Sequence, residues 1–88
     1  MNEDYIWLSQ WFVNRAAITD AAQVRPETNY FEAEWIDSFG VLELIASIEE
    51  HRSIRFDEEH FRDRRFVTVG GLAEMIGELR AAKSEHAR

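Results

Sequence analysis

The residue best placed to carry chemistry is a serine that follows an aspartate. Asp37 and Ser38 stand directly before an apolar series with helical spacing. Either side chain can cap that helix, because its oxygen can accept from an unpaired N–H group of the first turn. The same N–H groups and the positive end of the helix dipole favour a nearby anion. The pair therefore predicts either an ordinary helix cap or a serine hydroxyl suited to a phosphodiester.

The other polar residues do not complete a catalytic or metal site. His51, His60 and His86 include no pair with the i, i+4 spacing of a helical metal site, and no cysteine is present. Acidic residues surround His51, but that pattern is typical of a solvated helix end. The single Gly-Gly pair lacks the lysine of a phosphate-binding loop. A hydrolase using Ser38 would need a distant histidine, and its surroundings do not resemble a nucleophile elbow.

Net charge is −7, and most of it comes from one segment. Residues 30–50 hold six acidic residues and no basic one. Nucleic-acid binding needs clustered basic residues, and anionic membranes attract basic segments, so the charge argues against both partners. Basic protein surfaces are the favoured partners. No apolar run reaches the length of a membrane span, and the N-terminus lacks a basic signal region, so we expect the protein in the cytoplasm. We also expect a monomer.

Four helical segments account for most of the chain. We predict helices over residues 4–17, 38–52 and 57–63, and a last helix that Thr68 caps and that ends near Ala82. The connection between the first two contains the only proline, so it is predicted as a long loop with a short helical turn near its start. The other expected caps are Asn2, Asp37 or Ser38, and Asp57.

The predicted fold is all-α: a small four-helix bundle with three long helices, one short helix and a long loop between helices one and two. We expect a single domain over residues 1–88, with a core over about 4–82 and a frayed tail over 83–88. Apolar residues spaced by three and four mark the faces expected in the core. They are Tyr5, Leu8, Phe12, Ala16, Val41, Leu44, Ile45, Ile48, Val69, Leu72, Ala73, Ile76 and Leu79. Leu42 broadens the apolar stripe of the second helix.

The aromatic side chains are expected mostly in the core. Trp7, Trp11, Phe12 and Phe61 have spacings that are typical of packing rather than of a cofactor site. Trp35 lies directly before the cap, where it can staple the start of the helix or shelter a bound chain.

The chain resembles the acyl carrier protein family in two stretches, DSFGVLELIASIEE and RFDEEHFRDRRFVTVGGLAEMI, and the resemblance covers about residues 30–80. The family also includes peptidyl, aminoacyl and D-alanyl carriers. Its members open their second helix with a D-S-[LFM] motif whose serine receives 4′-phosphopantetheine from coenzyme A. Ser38 matches that serine, and Asp37 matches the preceding acid. The resemblance implies a carrier with no catalytic activity, whose arm on Ser38 holds acyl or aminoacyl groups as thioesters.

The resemblance also implies the partners of such a carrier. A phosphopantetheinyl transferase would load Ser38, and acyl- or aminoacyl-activating ligases and acyl-processing enzymes would bind the helix that follows through basic patches. Exposed acids steer such partners and permit fast exchange more than tight binding. The residues expected to dock them are Asp37, Phe39, Leu42, Glu43, Glu49 and Glu50.

The chain departs from the fatty-acid members of the family around the serine. Those members commonly have a Leu-Gly pair before the Asp-Ser and an acid two residues after the serine. This chain has Glu34, Trp35 and Ile36 before the motif and Gly40 after it. These differences favour a specialised stand-alone carrier, including an aminoacyl or D-alanyl type, over a general fatty-acid carrier. The alternatives are an acidic helical interaction module, in which Ser38 merely caps the helix, and a small hydrolase.

Overall fold

The computed structural model describes residues 2–86 of the chain, with side chains as far as Lys83. Its helices are α1 (Glu3–Arg15), α2 (Ser38–Arg52), α3 (Glu58–Arg62) and α4 (Val69–His86). Two short 3₁₀ segments, Ala21–Gln23 and Arg64–Val67, lie in the connections. The predicted all-α bundle of three long helices and one short helix is therefore confirmed. None of the helices within the described residues has the length and apolar character needed to cross a membrane.

The caps predicted for three helices are confirmed. The Asn2 side chain accepts from the N–H of Tyr5 at 2.7 Å at the start of α1. Thr68 Oγ1 accepts from the N–H of Gly71 at 3.1 Å at the start of α4. Asp57 caps α3 as part of a capping box. Each cap satisfies an N–H group that a helix N-terminus leaves unpaired, so short local patterns fix where these helices begin.

The first helix ends earlier than the sequence predicts. α1 stops at Arg15 instead of residue 17, and Ala16 caps it. Ala17 adopts a left-handed conformation, with φ of 52°, which turns the chain away from the helix axis. The expected short turn follows as the 3₁₀ segment Ala21–Gln23, capped by Asp20.

The last helix is longer than the sequence predicts. α4 continues to His86, whereas we expected it to end near Ala82 and the following residues to fray. Neither glycine nor proline follows position 77, so nothing in the local sequence interrupts the helix. The Lys83 ammonium also donates to the Ser53 carbonyl just after α2. The last two residues of the predicted tail, 87 and 88, lie outside the described residues.

The core forms where the apolar faces of α1, α2 and α4 meet. The predicted core residues that are buried are Tyr5, Leu8, Phe12, Leu44, Ile48, Val69, Leu72, Ala73 and Ile76. Leu42, which broadens the apolar stripe of the second helix in the sequence, is 63% exposed and lies outside the core. It lies two positions before Leu44, which turns it about 200° around the helix. Phe61 is 45% exposed, although its ring packs edge-on against Phe66.

The long connection before α2 is fastened to the start of α4. The N–H of Val69 donates to the Thr28 carbonyl at 3.1 Å, and the N–H of Gly70 donates to the Pro26 carbonyl at 2.8 Å. Tyr30, which is fully buried, donates its hydroxyl to the backbone carbonyl of the buried Phe66. Burial raises the pKa of the Tyr30 phenol well above its usual range. These contacts make the loop a fixed part of the fold.

A buried acid joins three of the helices. Asp4 in α1 is only 4% exposed. Its carboxylate accepts from Nη1 of Arg80 in α4 at 3.0 Å and lies 2.9 Å from Nε of Arg52 at the end of α2. Two arginines therefore offset the cost of burying this charge.

Candidate functional site

Ser38 is an exposed residue at the first position of α2. The cap itself is Asp37, whose Oδ1 accepts from the N–H of Gly40 at 2.8 Å. The Asp37 carbonyl accepts from the N–H of Val41 at 3.0 Å. The Ser38 hydroxyl makes no hydrogen bond with any residue that the structure describes. The sequence allowed either residue to cap, and the structure assigns that task to Asp37.

The backbone around Ser38 suits a bound anion. Within the described part of the chain, the N–H groups of Ser38 and Phe39 have no acceptor, whereas Asp37 occupies that of Gly40. Open N–H groups at the N-terminus of a 15-residue helix carry the positive end of its dipole. An anionic ester on the Ser38 oxygen would be stabilised there, although the Asp37 carboxylate opposes part of that effect.

Gly40 allows the preceding residues to lie directly against the first turn of α2. A Cβ atom at Gly40 would stand 2.9 Å from the Cβ of Ile36 and 3.4 Å from Oδ1 of Asp37. The first distance is too short for a real contact, and Ile36 is buried. A glycine here therefore lets Ile36 enter the core while the next two residues stay at the surface.

The segment before the motif is a compact turn. The Asn29 side chain accepts from the N–H groups of Phe31 and the following residue at 3.0 Å each. The N–H of Trp35 donates to the Tyr30 carbonyl at 3.1 Å. Trp35 is partly buried, and its ring centroid lies 5.7 Å from that of Phe12 in α1. Trp35 therefore connects the turn to α1 and leaves part of its ring accessible.

Two large apolar side chains stand exposed beside the serine. Phe39 is 79% exposed, and Leu42 is 63% exposed. Residues three apart lie on the same side of a helix, as do residues four apart, so Leu42 is a neighbour of both Phe39 and Ser38. Such side chains in a group are suited to a partner surface. The structure thus leaves both predicted apolar docking residues accessible.

The acids predicted for docking differ in their surroundings. Glu43 forms an ion pair with Arg15 at the end of α1. Glu49 is partly buried, and its carboxylate accepts from the N–H of Phe56 at 2.9 Å. Glu50 is exposed. Arg15 was not among the residues predicted for the site, because no local pattern indicates that it pairs with Glu43, 28 positions away.

Surface grooves lie near both ends of α2. A groove of about 430 Å³ adjoins the serine and is lined by Arg15, Phe31, Glu34, Trp35, Ile36 and Asp37. Another, of about 720 Å³, lies between the other end of α2 and α4, where Glu49, Ser53 and Leu79 are among its lining residues. Of these two grooves, the one of about 430 Å³ is lined by Asp37, the residue directly before Ser38 in the chain.

The described histidines do not form a catalytic pair with Ser38. His51 stacks on Trp7, with ring centroids 4.6 Å apart, and lies thirteen residues further along α2. That separation corresponds to about 20 Å of helix. His60 belongs to the capping box of Asp57. Among the side chains described, no group of three or more His, Cys, Asp or Glu residues is arranged to hold a metal ion.

Comparison with protein families gives a match for most of the chain. The family model described as a phosphopantetheine attachment site matches residues 15–76, a span that contains the whole of α2 and α3. The chain belongs to the phosphopantetheine-binding family. The resemblance to acyl carrier proteins is thereby confirmed, and members of this family act as carriers rather than catalysts. Comparisons with curated proteins and with solved structures gave no match.

The site fits the prosthetic group that this phosphopantetheine-binding family implies. Ser38 offers an exposed hydroxyl that no described residue occupies, and the adjacent open N–H groups favour an anionic ester. The chain has no cysteine, so it has no thiol of its own. Phosphopantetheine, when attached, supplies the thiol on which a thioester is held.

Proposed function

We propose that Ser38 bears a 4′-phosphopantetheine arm and that this carrier shuttles thioester-bound acyl or aminoacyl groups between partner enzymes. The observation that carries the proposal is that Asp37 caps α2 while the adjacent Ser38 remains exposed. Asp37 caps the helix, so the Ser38 hydroxyl has no structural role among the described contacts. An exposed serine at an open helix terminus, in a chain of this family, is suited to modification.

Ser38 takes part in one covalent step, its loading by a phosphopantetheinyl transferase. Its hydroxyl oxygen forms a bond to the phosphorus that bears the pantetheine half of coenzyme A. The phosphoanhydride bond breaks, the nucleotide half leaves, and the serine proton passes to a base of the transferase. Mg²⁺ and that base belong to the transferase, so this chain needs only an accessible hydroxyl in a fixed position.

Partner enzymes are proposed to contact the apolar pair beside the serine and the acids along α2. Phe39 and Leu42 supply the apolar contact, since both are exposed next to Ser38. The acidic docking residues remain those that the sequence suggests, Asp37, Glu43, Glu49 and Glu50. A partner with a basic patch would be steered by these charges and released quickly, as a shuttle requires.

The proposed cargo is an acyl or aminoacyl group of a specialised pathway. The residues that depart from the fatty-acid pattern have structural roles here. Ile36 is buried, Trp35 packs near Phe12, and Gly40 permits the close approach of Ile36. These departures support a specialised carrier, of aminoacyl or D-alanyl type among others. Loading assays across fatty acids and amino acids would identify the group.

The attachment is tested by intact-mass measurement after incubation with coenzyme A, Mg²⁺ and a promiscuous phosphopantetheinyl transferase. We expect the chain to gain the mass of one phosphopantetheine. Ser38→Ala should gain none, whereas Ser47→Ala, a change on the same helix, should load like the parent. No gain with several transferases would overturn the proposal.

The docking surface is tested by transferase kinetics. Phe39→Ala and Leu42→Ala are each expected to raise KM by about tenfold, the effect of losing roughly 1.4 kcal/mol of contact. Ile6→Ala on α1 is the matched control, because Ile6 is an aliphatic residue that is 56% exposed. Its KM should stay near the parent value. Equal effects of all three changes would count against a docking surface beside Ser38.

A further inference from the structure

The groove beside Ser38 combines one cation with apolar and acidic walls. Phe31, Trp35 and Ile36 form its apolar side, and Glu34 and Asp37 bring carboxylates. Among the described residues that line it, Arg15 is the single basic one. Asp37, which lines this groove, is bonded directly to Ser38, so the groove lies one residue from the serine.

The charges around Ser38 make Arg15 important for an anionic ester. Residues 30–50 contain no basic residue, and a phosphodiester on Ser38 would add a further negative charge beside Asp37 and Glu34. Arg15 reaches this region from the end of α1 and lines the groove that Asp37 borders. A guanidinium pairs well with phosphate oxygens, because its N–H groups can donate two parallel hydrogen bonds.

Arg15 lies at the boundary of two grooves. It lines the groove beside Ser38 and also a smaller one, of about 260 Å³, that Glu43 borders. Its Nη1 is the atom that pairs with Glu43. A guanidinium has five N–H donors, so Arg15 can keep this pair and still donate to a second acceptor.

The apolar side of the groove also has a usable hydrogen-bond donor. Trp35 is partly buried, and within the described residues its indole N–H donates to no acceptor. The pantoyl part of the arm, next to the phosphodiester, carries two methyl groups, a hydroxyl and an amide. Methyl groups match the faces of Trp35, Phe31 and Ile36, while the hydroxyl and amide match the indole donor and the acids.

We propose that this groove holds the phosphodiester and pantoyl part of the arm, with Arg15 as the cation that faces the phosphodiester and Trp35 as the apolar wall. The proposal rests on the proposed attachment at Ser38. It makes Arg15 and Trp35 positioning residues: they give the arm a resting place on the α1 side of Ser38, from which partner enzymes withdraw it.

The test compares ¹H–¹⁵N spectra of the unloaded and loaded protein. Attachment alone shifts backbone signals near Ser38, so the informative signals are the Arg15 Nε–H and the Trp35 indole N–H. Both should shift on loading. The Arg25 Nε–H and the Trp7 indole N–H serve as controls and should stay, because Trp7 stacks on His51 at the other end of α2.

A pair of variants tests the part played by the cation. Arg15→Gln should reduce the loading-dependent shift of the Trp35 indole signal at least twofold. Arg25→Gln, which removes an equal charge from an exposed loop position, should leave that shift unchanged. If Arg15→Gln does not fold, the Arg15 and Trp35 side-chain signals of the unloaded and loaded parent protein still test whether the groove holds the arm.

Loading is followed by intact mass in the same samples, so the two proposals are separable. A chain that gains no mass contradicts attachment at Ser38. A chain that gains the mass while the Arg15 and Trp35 side-chain signals do not move contradicts the groove. An equal Trp35 shift in Arg15→Gln and the parent contradicts the assignment of Arg15.

Discussion

At the scale of single residues, Asp37 and Ser38 are adjacent but differ in the hydrogen bonds that their side chains make. The Asp37 carboxylate accepts from the N–H of Gly40, and its backbone carbonyl begins the helical hydrogen-bond series. Ser38 contributes helical backbone geometry and an exposed side chain. Stability should therefore depend on Asp37, and modification should depend on Ser38.

Unfolding measurements on cap variants test this division. Asp37→Ala is expected to lower the free energy of unfolding by about 1 kcal/mol, because it removes a helix cap. Asp37→Asn should lose less, since its side-chain oxygen can still accept from Gly40. Ser38→Ala should change stability by less than about 0.5 kcal/mol. A larger loss for Ser38→Ala than for Asp37→Ala in urea titrations would show that Ser38 is the cap.

At the scale of elements, the close approach between the turn before the motif and α2 positions the site. Gly40 and Ile36 are in contact at the point where the chain enters the helix. Gly77 in α4 is different, because the nearest atom to a Cβ built there is Oδ2 of Asp4 at 3.8 Å. One glycine is required by packing, and the other only weakens its helix.

Glycine replacements should therefore have opposite effects at these two positions. Gly40→Ala is expected to destabilise the protein by about 1–3 kcal/mol, because the new methyl group overlaps Ile36. Gly77→Ala should stabilise it by up to about 1 kcal/mol through higher helix propensity. Thermal unfolding of the two variants provides the measurement. A gain in stability for Gly40→Ala would mean that Ile36 moves aside without cost.

The 3₁₀ segment Arg64–Val67 is joined to α4 by one arginine. Arg65 donates to Glu74 and Glu78 of α4 at 2.7 Å each, and also to Asp63. Hydrogen bonds from Arg65 lower the pKa of the Asp63 carboxyl and that of the Glu78 carboxyl. The same bonds raise the pKa of Arg65 well above its usual range.

The hydrogen bonds of Arg65 with Asp63 and Glu78 predict how the stability of the protein depends on pH. A carboxyl whose pKa is lower in the folded state stabilises the fold above its unfolded pKa, and this contribution disappears as the pH falls through the folded pKa. The ordinary values are 3.8 for Asp63 and 4.5 for Glu78, so the loss should occur below about pH 4.5. Arg65→Gln should therefore show a smaller fall in urea midpoint between about pH 6 and pH 3 than the parent.

Arg64→Gln is the control for this series, since Arg64 is exposed and forms no ion pair among the described residues. Its pH dependence should match that of the parent. An unchanged pH dependence in Arg65→Gln would contradict the stabilising role assigned to the hydrogen bonds of Arg65.

Features that depend on residues close together in the chain, such as helix caps, could be predicted from the sequence. Asn2, Asp57 and Thr68 cap helices because a cap acts across two or three residues. The Asp37–Ser38 motif was found for the same reason. The end of α4 at His86 was missed, because no glycine or proline marks a helix end there and the contact of Lys83 with the Ser53 carbonyl is not visible in the sequence.

Contacts between distant residues could not be predicted in this way. Glu43 and Arg15 are 28 positions apart, and nothing local indicates that they pair. Glu49 looks like a surface acid by charge alone, yet it accepts from the N–H of Phe56 after the helix has ended. Tyr30 lies in a loop and is buried, and its backbone N–H and its hydroxyl donate to Val67 and Phe66, more than 30 positions away. The position of Ser38 at the start of α2 was therefore predictable, whereas the surroundings of the acids expected to dock partners were not.

At the scale of the whole molecule, Asp4 connects α1 with α2 and α4. Its carboxylate is almost fully buried, while Arg80 remains about 40% exposed. Arg52 also lies near Glu3, at 3.5 Å, but Glu3 is largely exposed. The buried acid should therefore matter more than the exposed one that shares a partner with it.

Replacing these two acids compares buried and exposed charge pairs. Asp4→Ala is expected to cost on the order of 3 kcal/mol, because it leaves Arg52 with little solvent and without its buried partner. Glu3→Ala should cost less than about 1 kcal/mol. Urea unfolding at neutral pH provides the measurement, and similar losses for both variants would contradict the importance of the buried acid.

The position of the added mass tests the central proposal most directly. The protein is loaded with coenzyme A and a phosphopantetheinyl transferase, and the intact chain is fragmented in a mass spectrometer under conditions that keep the phosphodiester. The added mass should begin in fragments that include Ser38 and be absent from those that end at Asp37. Added mass on Ser47 or on any other residue, or no added mass, would contradict the account.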